Sequence, residues 1–116
     1  MNQTGVIDLS TFEALKDTMG ADFISELVQT YLDETPQLIS KLQEALDRKD
    51  CDAFRQSAHS IKSTSNSFGA LDLGSLAKEL EYMGRESNLD GAPVKVEKLV
   101  NDYSAVKLAL KELTHV

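Results

Sequence analysis

His59 is the only histidine inside the body of a 116-residue chain; the other, His115, lies beside the C-terminus. The segment from Ala58 to Ala70 reads AHSIKSTSNSFGA, so Ser60, Ser63, Thr64, Ser65, Asn66 and Ser67 crowd around the imidazole. Ser, Thr and Asn are mediocre helix formers because their side chains compete for backbone hydrogen bonds. Yet Phe54, Ala58, Ile61, Ser65 and Phe68 follow spacings of 4, 3, 4 and 3, a helical core seam with one polar member. His59 stands one residue past Ala58, about 100° around the helix, which sets it at the edge of the seam and facing out.

Residues three and four positions away share its face: Arg55 and Gln56 before it, Lys62 and Ser63 after it, and Asn66 a further turn along. A solvent-facing imidazole flanked by positive charge and hydrogen-bond donors suits an anion. Neutral imidazole is a competent nucleophile near neutral pH, since its unperturbed pKa is about 6.5. If it took a phosphoryl group, Lys62 could neutralise part of the new charge. A large side chain at position 63 would crowd any group attached to the ring, and Ser63 leaves room. Periodicity alone is also satisfied by a plain surface histidine without chemistry.

The elements that must position this face are all helical, and no alternating strand pattern competes. Asp8 or Ser10 can cap a short first helix lined by Phe12, Leu15 and Met19 and stopped at Gly20. A long pattern from about Asp22 to Arg48 runs through Ile24, Leu27, Tyr31, Leu38, Leu42 and Ala45, with Pro36 in its middle. An interior proline normally costs about 3 kcal/mol. However, the apolar register is unchanged across it, so one kinked helix is expected rather than two. Asp50 or Asp52 starts the helix that carries His59 and ends at Gly69. Leu73, Leu76, Leu80 and Met83 mark the next, over roughly Leu71 to Glu86. The turn NLDGAP, Asn88 to Pro93, precedes a last helix marked by Val96, Val100, Tyr103, Val106, Leu110 and Leu113. The pattern predicts an all-α fold: an antiparallel, up-down-up-down four-helix bundle with a short additional N-terminal helix, residues 1–116 forming one domain.

Composition narrows the function classes. With 41% apolar and 27% charged residues, the chain is globular in composition. Twelve basic against 19 acidic residues give −7, which disfavours nucleic-acid binding. Cys51 is the single cysteine, so neither an intramolecular disulfide nor a thiolate metal cluster can form, and a buried or half-buried structural thiol is expected. No apolar run approaches the roughly 18 residues of a membrane span, and no signal pattern opens the chain, so a cytoplasmic protein is expected; one bundle consumes the apolar stripes, so a monomer is expected. Ser75 and Lys78 match S-x-x-K, but the companion motifs of penicillin-binding enzymes are absent. Ser57 and Ser60 cannot pair with His59, because neighbours one or two residues apart on a helix do not face each other. His115 is expected to be frayed and without a role. No Gly-rich phosphate loop is present, and no metal site is expected.

His59-Ser60-Ile61-Lys62-Ser63 resembles the H-x-x-K-G core of histidine-containing phosphotransfer (HPt) domains. Ala58, Phe68-Gly69-Ala70, and Leu80-Glu81 also fit that family's pattern, and Tyr31-Leu32 through Thr35-Pro36 to Leu38-Ile39 is similar to its proline-kinked helix. The resemblance covers nearly the whole chain. One departure stands inside the motif: position 63 is Ser where the family usually has Gly. Ser is still small, and its hydroxyl is placed to bond phosphoryl oxygens.

What the resemblance implies is a phosphorelay. His59 would attack, through Nε2, the phosphoaspartate of a receiver domain in a hybrid sensor histidine kinase. It would then hand the phosphoryl group to an aspartate on the receiver of a response regulator. Lys62 and Ser63 would stabilise the phosphoryl group. Ser60, Ser63, Asn66 and Ser67 would keep the docking surface low, with Arg55, Gln56, Lys62 and Asn66 as polar contacts and the proline-kinked helix completing the interface. Such proteins bind no ATP and lack kinase activity of their own, and the Mg²⁺ used in transfer belongs to the receiver. The alternative is a helical adaptor that binds receivers or partner helices without phosphotransfer, for which neither His59 nor Lys62 is needed.

Overall fold

A computed structural model of the chain describes residues 6–115, so both ends of the expected single domain lie outside the described residues. Five helices are bounded within them: α1 (Leu9–Met19), α2 (Ala21–Arg48), α3 (Cys51–Ser67), α4 (Leu71–Arg85) and α5 (Ala92–Thr114). Helix α3 packs between α2 and α4, α5 packs against α4 and α2, and α1 lies against α2 and α3. The four long helices therefore close a ring in chain order, the expected bundle with the short helix added.

Local chemistry fixes where each helix begins. Of the two candidate caps of α1 it is Asp8, not Ser10, whose carboxylate accepts the Thr11 N–H at 3.2 Å. The same choice falls on Asp50 for α3, which accepts from the Ala53 N–H at 3.1 Å. Asp52 instead sits in the first turn, where a carboxylate meets the positive end of the helix dipole. Helix α3 ends at Ser67, two residues before the expected Gly69, which takes φ +88° in the turn to α4. A Cβ on Gly69 would lie 2.7 Å from the Asp8 carbonyl oxygen, and the Asp8 N–H donates to the Gly69 carbonyl at 2.7 Å. Backbone conformation and close approach both require glycine here, and together they tie the start of α1 to the α3–α4 turn. His115 is the C-cap of α5, its N–H donating to the Lys111 carbonyl at 2.7 Å.

Helix α2 runs through Pro36 as one element of 28 residues. Proline removes the N–H that would bond the Leu32 carbonyl. The Tyr103 hydroxyl, from α5, donates to that carbonyl at 3.4 Å, so a partner across the core replaces the lost one. The Tyr31 hydroxyl meets Ser65 Oγ at 2.8 Å, which accounts for the one polar residue in the α3 seam. The Tyr31 ring also packs against Phe68 and Tyr103, with centroids 5.2 and 6.0 Å away. Burial, with the Asp33 charge adding to it, pushes the Tyr103 hydroxyl up to about 12, so it stays a donor at neutral pH. Tyr103→Phe should cost about 1 kcal/mol in urea unfolding, the usual worth of one such bond. An unchanged midpoint would show that the Leu32 carbonyl does not depend on Tyr103.

The core is broader than single stripes suggest. Val28, Leu32, Thr35 and Ile39 are buried along α2, whereas Leu27 and Leu38 of the expected stripe are only half-buried. Three elements surround α2, so its apolar face is wider than one seam. Met19 is exposed rather than lining the core. Cys51 is half-buried. Among the described residues no helix is long and apolar enough to cross a membrane.

Candidate functional site

Helix α4 carries two parallel stripes offset by one residue. Leu73, Leu76 and Leu80 fill the core, while Gly74, Ala77, Glu81 and Gly84, spaced 3, 4 and 3, are buried on the side towards α3. A Cβ on Gly84 would stand 2.8 Å from the Cys51 carbonyl oxygen and 2.9 Å from Arg55 Cβ. A Cβ on Gly74 would overlap the Asn66 side chain. The two helices approach this closely because α4 presents almost no side chain between them. Glu81 is the exception, and the close approach delivers its carboxylate to α3.

The Glu81 side chain is 6% exposed and takes three partners. Its Oε2 accepts from His59 Nδ1 at 2.8 Å, and its Oε1 faces Lys62 Nζ at 2.7 Å. Arg85, one turn along α4, reaches the same Oε2 at 3.4 Å. Burial pushes the Glu81 carboxyl up, but the hydrogen bonds and charges of Lys62 and His59 outweigh it and hold the carboxyl below its ordinary value. A carboxylate can only accept, so His59 Nδ1 carries a proton, and in the neutral ring Nε2 is the nitrogen left with a free lone pair. The His59 side chain remains 57% exposed. The result is a neutral ring set in one tautomer and one orientation on a side chain that is more than half exposed.

The structure sorts the remaining expected site residues into three groups. Lys62 was expected as a free cation on the open polar face; its side chain is 26% exposed and its ammonium is held by Glu81. Helix α4 lies on the side of α3 towards which Lys62 points, and that placement is what the periodicity of α3 alone does not give. Arg55 and Gln56 share one partner, Asp52, at 2.9 and 2.8 Å. Ser63, Asn66 and Ser67 are exposed, and Ser60 is half-buried. The Ser67 hydroxyl donates to the Ser63 carbonyl at 3.0 Å, which folds it back along the helix. The Asn66 side chain lies over Gly74, so it hugs the α3–α4 surface.

Sequence reasoning missed Glu81 and Arg85 as site residues. The available signal was the second stripe of α4, in which a lone carboxylate stands among Gly, Ala and Gly. An acidic residue on a face otherwise stripped of side chains needs a partner on the opposing helix. Among the described residues, no group of three or more His, Cys, Asp or Glu side chains could hold a metal ion.

Comparison with known proteins places this geometry. The family model of the Hpt domain matches residues 26–114, which takes in all but the first turn of α2, both helices of the site and α5. Histidine-containing phosphotransfer protein 2 of Arabidopsis thaliana is 27% identical, covering 96% of this chain and 74% of that protein. The crystal structure of histidine-containing phosphotransfer protein B from Pseudomonas aeruginosa PAO1 superposes with a TM-score of 0.90 at 28% identity, over 95% of each chain. A histidine-containing phosphotransfer protein from maize shares the fold, with a TM-score of 0.83 at 22% identity over 99% of this chain and 94% of that one. A helical bundle of this topology, matched over most of its length by one family, identifies the chain as a member of the Hpt domain family, with a phosphotransfer role in a two-component phosphorelay.

Proposed function

We propose that His59 is the phosphoacceptor. It takes the phosphoryl group from the phosphoaspartate of a receiver domain in a hybrid sensor histidine kinase and passes it to an aspartate on the receiver of a response regulator. The observation that carries this is the pairing of His59 Nδ1 with the buried Glu81 carboxylate at 2.8 Å while the ring stays open to solvent.

In the forward step the Nε2 lone pair attacks phosphorus in line, and the bond from phosphorus to the aspartyl oxygen breaks. The electron pair leaves with the aspartate carboxylate. No base is needed, because Nε2 carries no proton to remove. The ring gains positive charge as the new bond forms, and Glu81 lies against the Nδ1–H to balance it. In the return step the same charged ring is a good leaving group, and the atoms run backwards. Mg²⁺ supplied by the receiver would screen the phosphoryl oxygens during transfer. Lys62 acts through Glu81, whose ionised state it maintains.

The partner must bring its own aspartate to bonding distance of Nε2, which requires low side chains around the ring. Ser63, Asn66 and Ser67 meet that need on one side, and Arg55 and Gln56 give polar contacts on the other. Ser63→Leu should cut transfer by about 100-fold, the scale expected when reacting atoms are held about 1 Å too far apart. Its unfolding free energy should stay within about 0.5 kcal/mol of the parent, as usual for an exposed site. A substantially unfolded variant would show that position 63 does not face the partner.

The test of the function mixes the purified protein with a phosphorylated receiver and Mg²⁺. Acid-labile, base-stable label should move onto this chain and then off it onto a second, unphosphorylated receiver. A chain that binds receivers yet never takes label would be an adaptor, and the proposal would fail.

A further inference from the structure

The hydroxyls that follow His59 along α3 are not all engaged. Thr64 donates to the Ser60 carbonyl and Ser67 to the Ser63 carbonyl, each at 3.0 Å, so both fold back along the helix. The matching acceptor for Ser63 is the His59 carbonyl, and that bond is not made. Among the described residues the exposed Ser63 hydroxyl has no hydrogen-bond partner. We propose that Ser63 donates this hydroxyl to the phosphoryl group carried on His59 Nε2, and that the bond makes the chain retain that group longer. This rests on His59 being the phosphoacceptor.

Position favours the contact. Side chains on a helix lean towards its N-terminus, so Ser63, one turn after His59, leans back over the turn that carries the ring. Cβ atoms four residues apart lie about 5–6 Å from each other, a gap that an imidazole bearing a tetrahedral group can close. Glu81 occupies Nδ1, so the phosphoryl group is carried by the other ring nitrogen, on a side chain that is more than half exposed. Ser60, the remaining hydroxyl nearby, is half-buried and about 100° around the helix from His59.

A hydroxyl that donates to phosphoryl oxygens favours the state in which those oxygens carry more charge. In hydrolysis water attacks phosphorus and the P–N bond breaks. Its electron pair returns to Nε2, and inorganic phosphate leaves with both water protons. The transition state is loose and metaphosphate-like, with less charge on those oxygens than the phosphohistidine has. Ser63 therefore steadies the phosphohistidine more than the transition state and slows its loss. The bond exists only in the phosphorylated chain, so it also shifts the equilibrium of label between this chain and a receiver towards this chain. Glycine, the usual residue of the family at this position, has no hydroxyl to do either.

Ser63→Ala removes the hydroxyl at an exposed helical position where alanine is the better helix former, so the fold is kept. Mixed with an isolated receiver domain and Mg²⁺, this variant should shift the equilibrium ratio of label towards the receiver by about 5-fold, the scale of one hydrogen bond. A docking contact speeds both directions of transfer alike, so it leaves that ratio unmoved. Loaded instead with phosphoramidate, a small phosphodonor, and then freed from it, the variant should lose acid-labile label several-fold faster than the parent with no receiver present. Ser63→Gly should match Ser63→Ala in both measurements. A parent-like ratio or a parent-like hydrolysis rate in Ser63→Ala would overturn the proposal. So would a change in Ser63→Gly that Ser63→Ala does not share, which would assign the effect to volume or backbone. His59→Gln separates the two readings: acid-labile label on it removes the phosphoacceptor, whereas an inert His59→Gln beside a parent-like Ser63→Ala removes only the role of Ser63.

Discussion

His59→Gln should take no acid-labile phosphate from a phosphorylated receiver, a loss of at least about 10³-fold. The expectation is this large because nothing nearby can replace the nucleophile. Ser63 is the nearest exposed hydroxyl one turn on, and it has no base beside it to remove its proton. The fold should be indifferent to the change. The His59 side chain is more than half exposed, and Glu81 keeps Lys62 and Arg85 when the imidazole is gone. Unfolding free energy should therefore move by less than about 1 kcal/mol. Label on the variant equal to that on the parent, with the same acid lability, would place the phosphoacceptor elsewhere.

Glu81→Gln should damage both stability and rate. The amide preserves volume but removes the charge that Lys62 and His59 address, leaving a half-buried ammonium opposite a neutral group. Breaking a buried pair costs several kcal/mol, and Lys62 retains some access to water, so a loss of about 2 kcal/mol is expected. The rate should fall between about 10- and 100-fold, because an amide can donate as well as accept and no longer forces the proton onto Nδ1. The pH dependence identifies the source. Since the folded carboxyl titrates below its ordinary value of 4.5, its stabilisation is complete above that value. It is then lost as the pH falls through the folded value. The gap between parent and variant in urea unfolding should therefore be widest at neutral pH and close on acidification towards pH ~3. A gap that persists or grows in acid would mean that the ionised carboxylate is not what the variant has lost.

Helical periodicity carried most of the architecture. The seam of Phe54, Ala58, Ile61, Ser65 and Phe68 is buried as the spacing requires. The unbroken phase across Pro36 corresponds to a single α2. Cap identity was not legible, because Asp8 and Ser10, or Asp50 and Asp52, are equally suited by residue type. Only the path of the preceding turn decides between them. The site was half legible. His59 and its exposed face follow from one helix's own geometry, but Glu81 enters from another helix. Its arrival depends on how α3 and α4 are rotated about their axes and how near they come. A stripe found by counting apolar residues cannot report a face defined by missing side chains. For the same reason Lys62, correctly placed one turn from His59, was given too much freedom.

The glycine-lined face of α4 has a consequence for how this protein can drift in sequence. Gly84 is buried between the helices, and a methyl group there would stand 2.8 Å from the Cys51 carbonyl and force them apart. The His59–Glu81 contact, already at ordinary hydrogen-bond length, has no slack to absorb that motion. Position 84 is thus constrained by volume rather than by chemistry. In a selection for signalling, substitutions at this hidden position would be eliminated alongside those at His59.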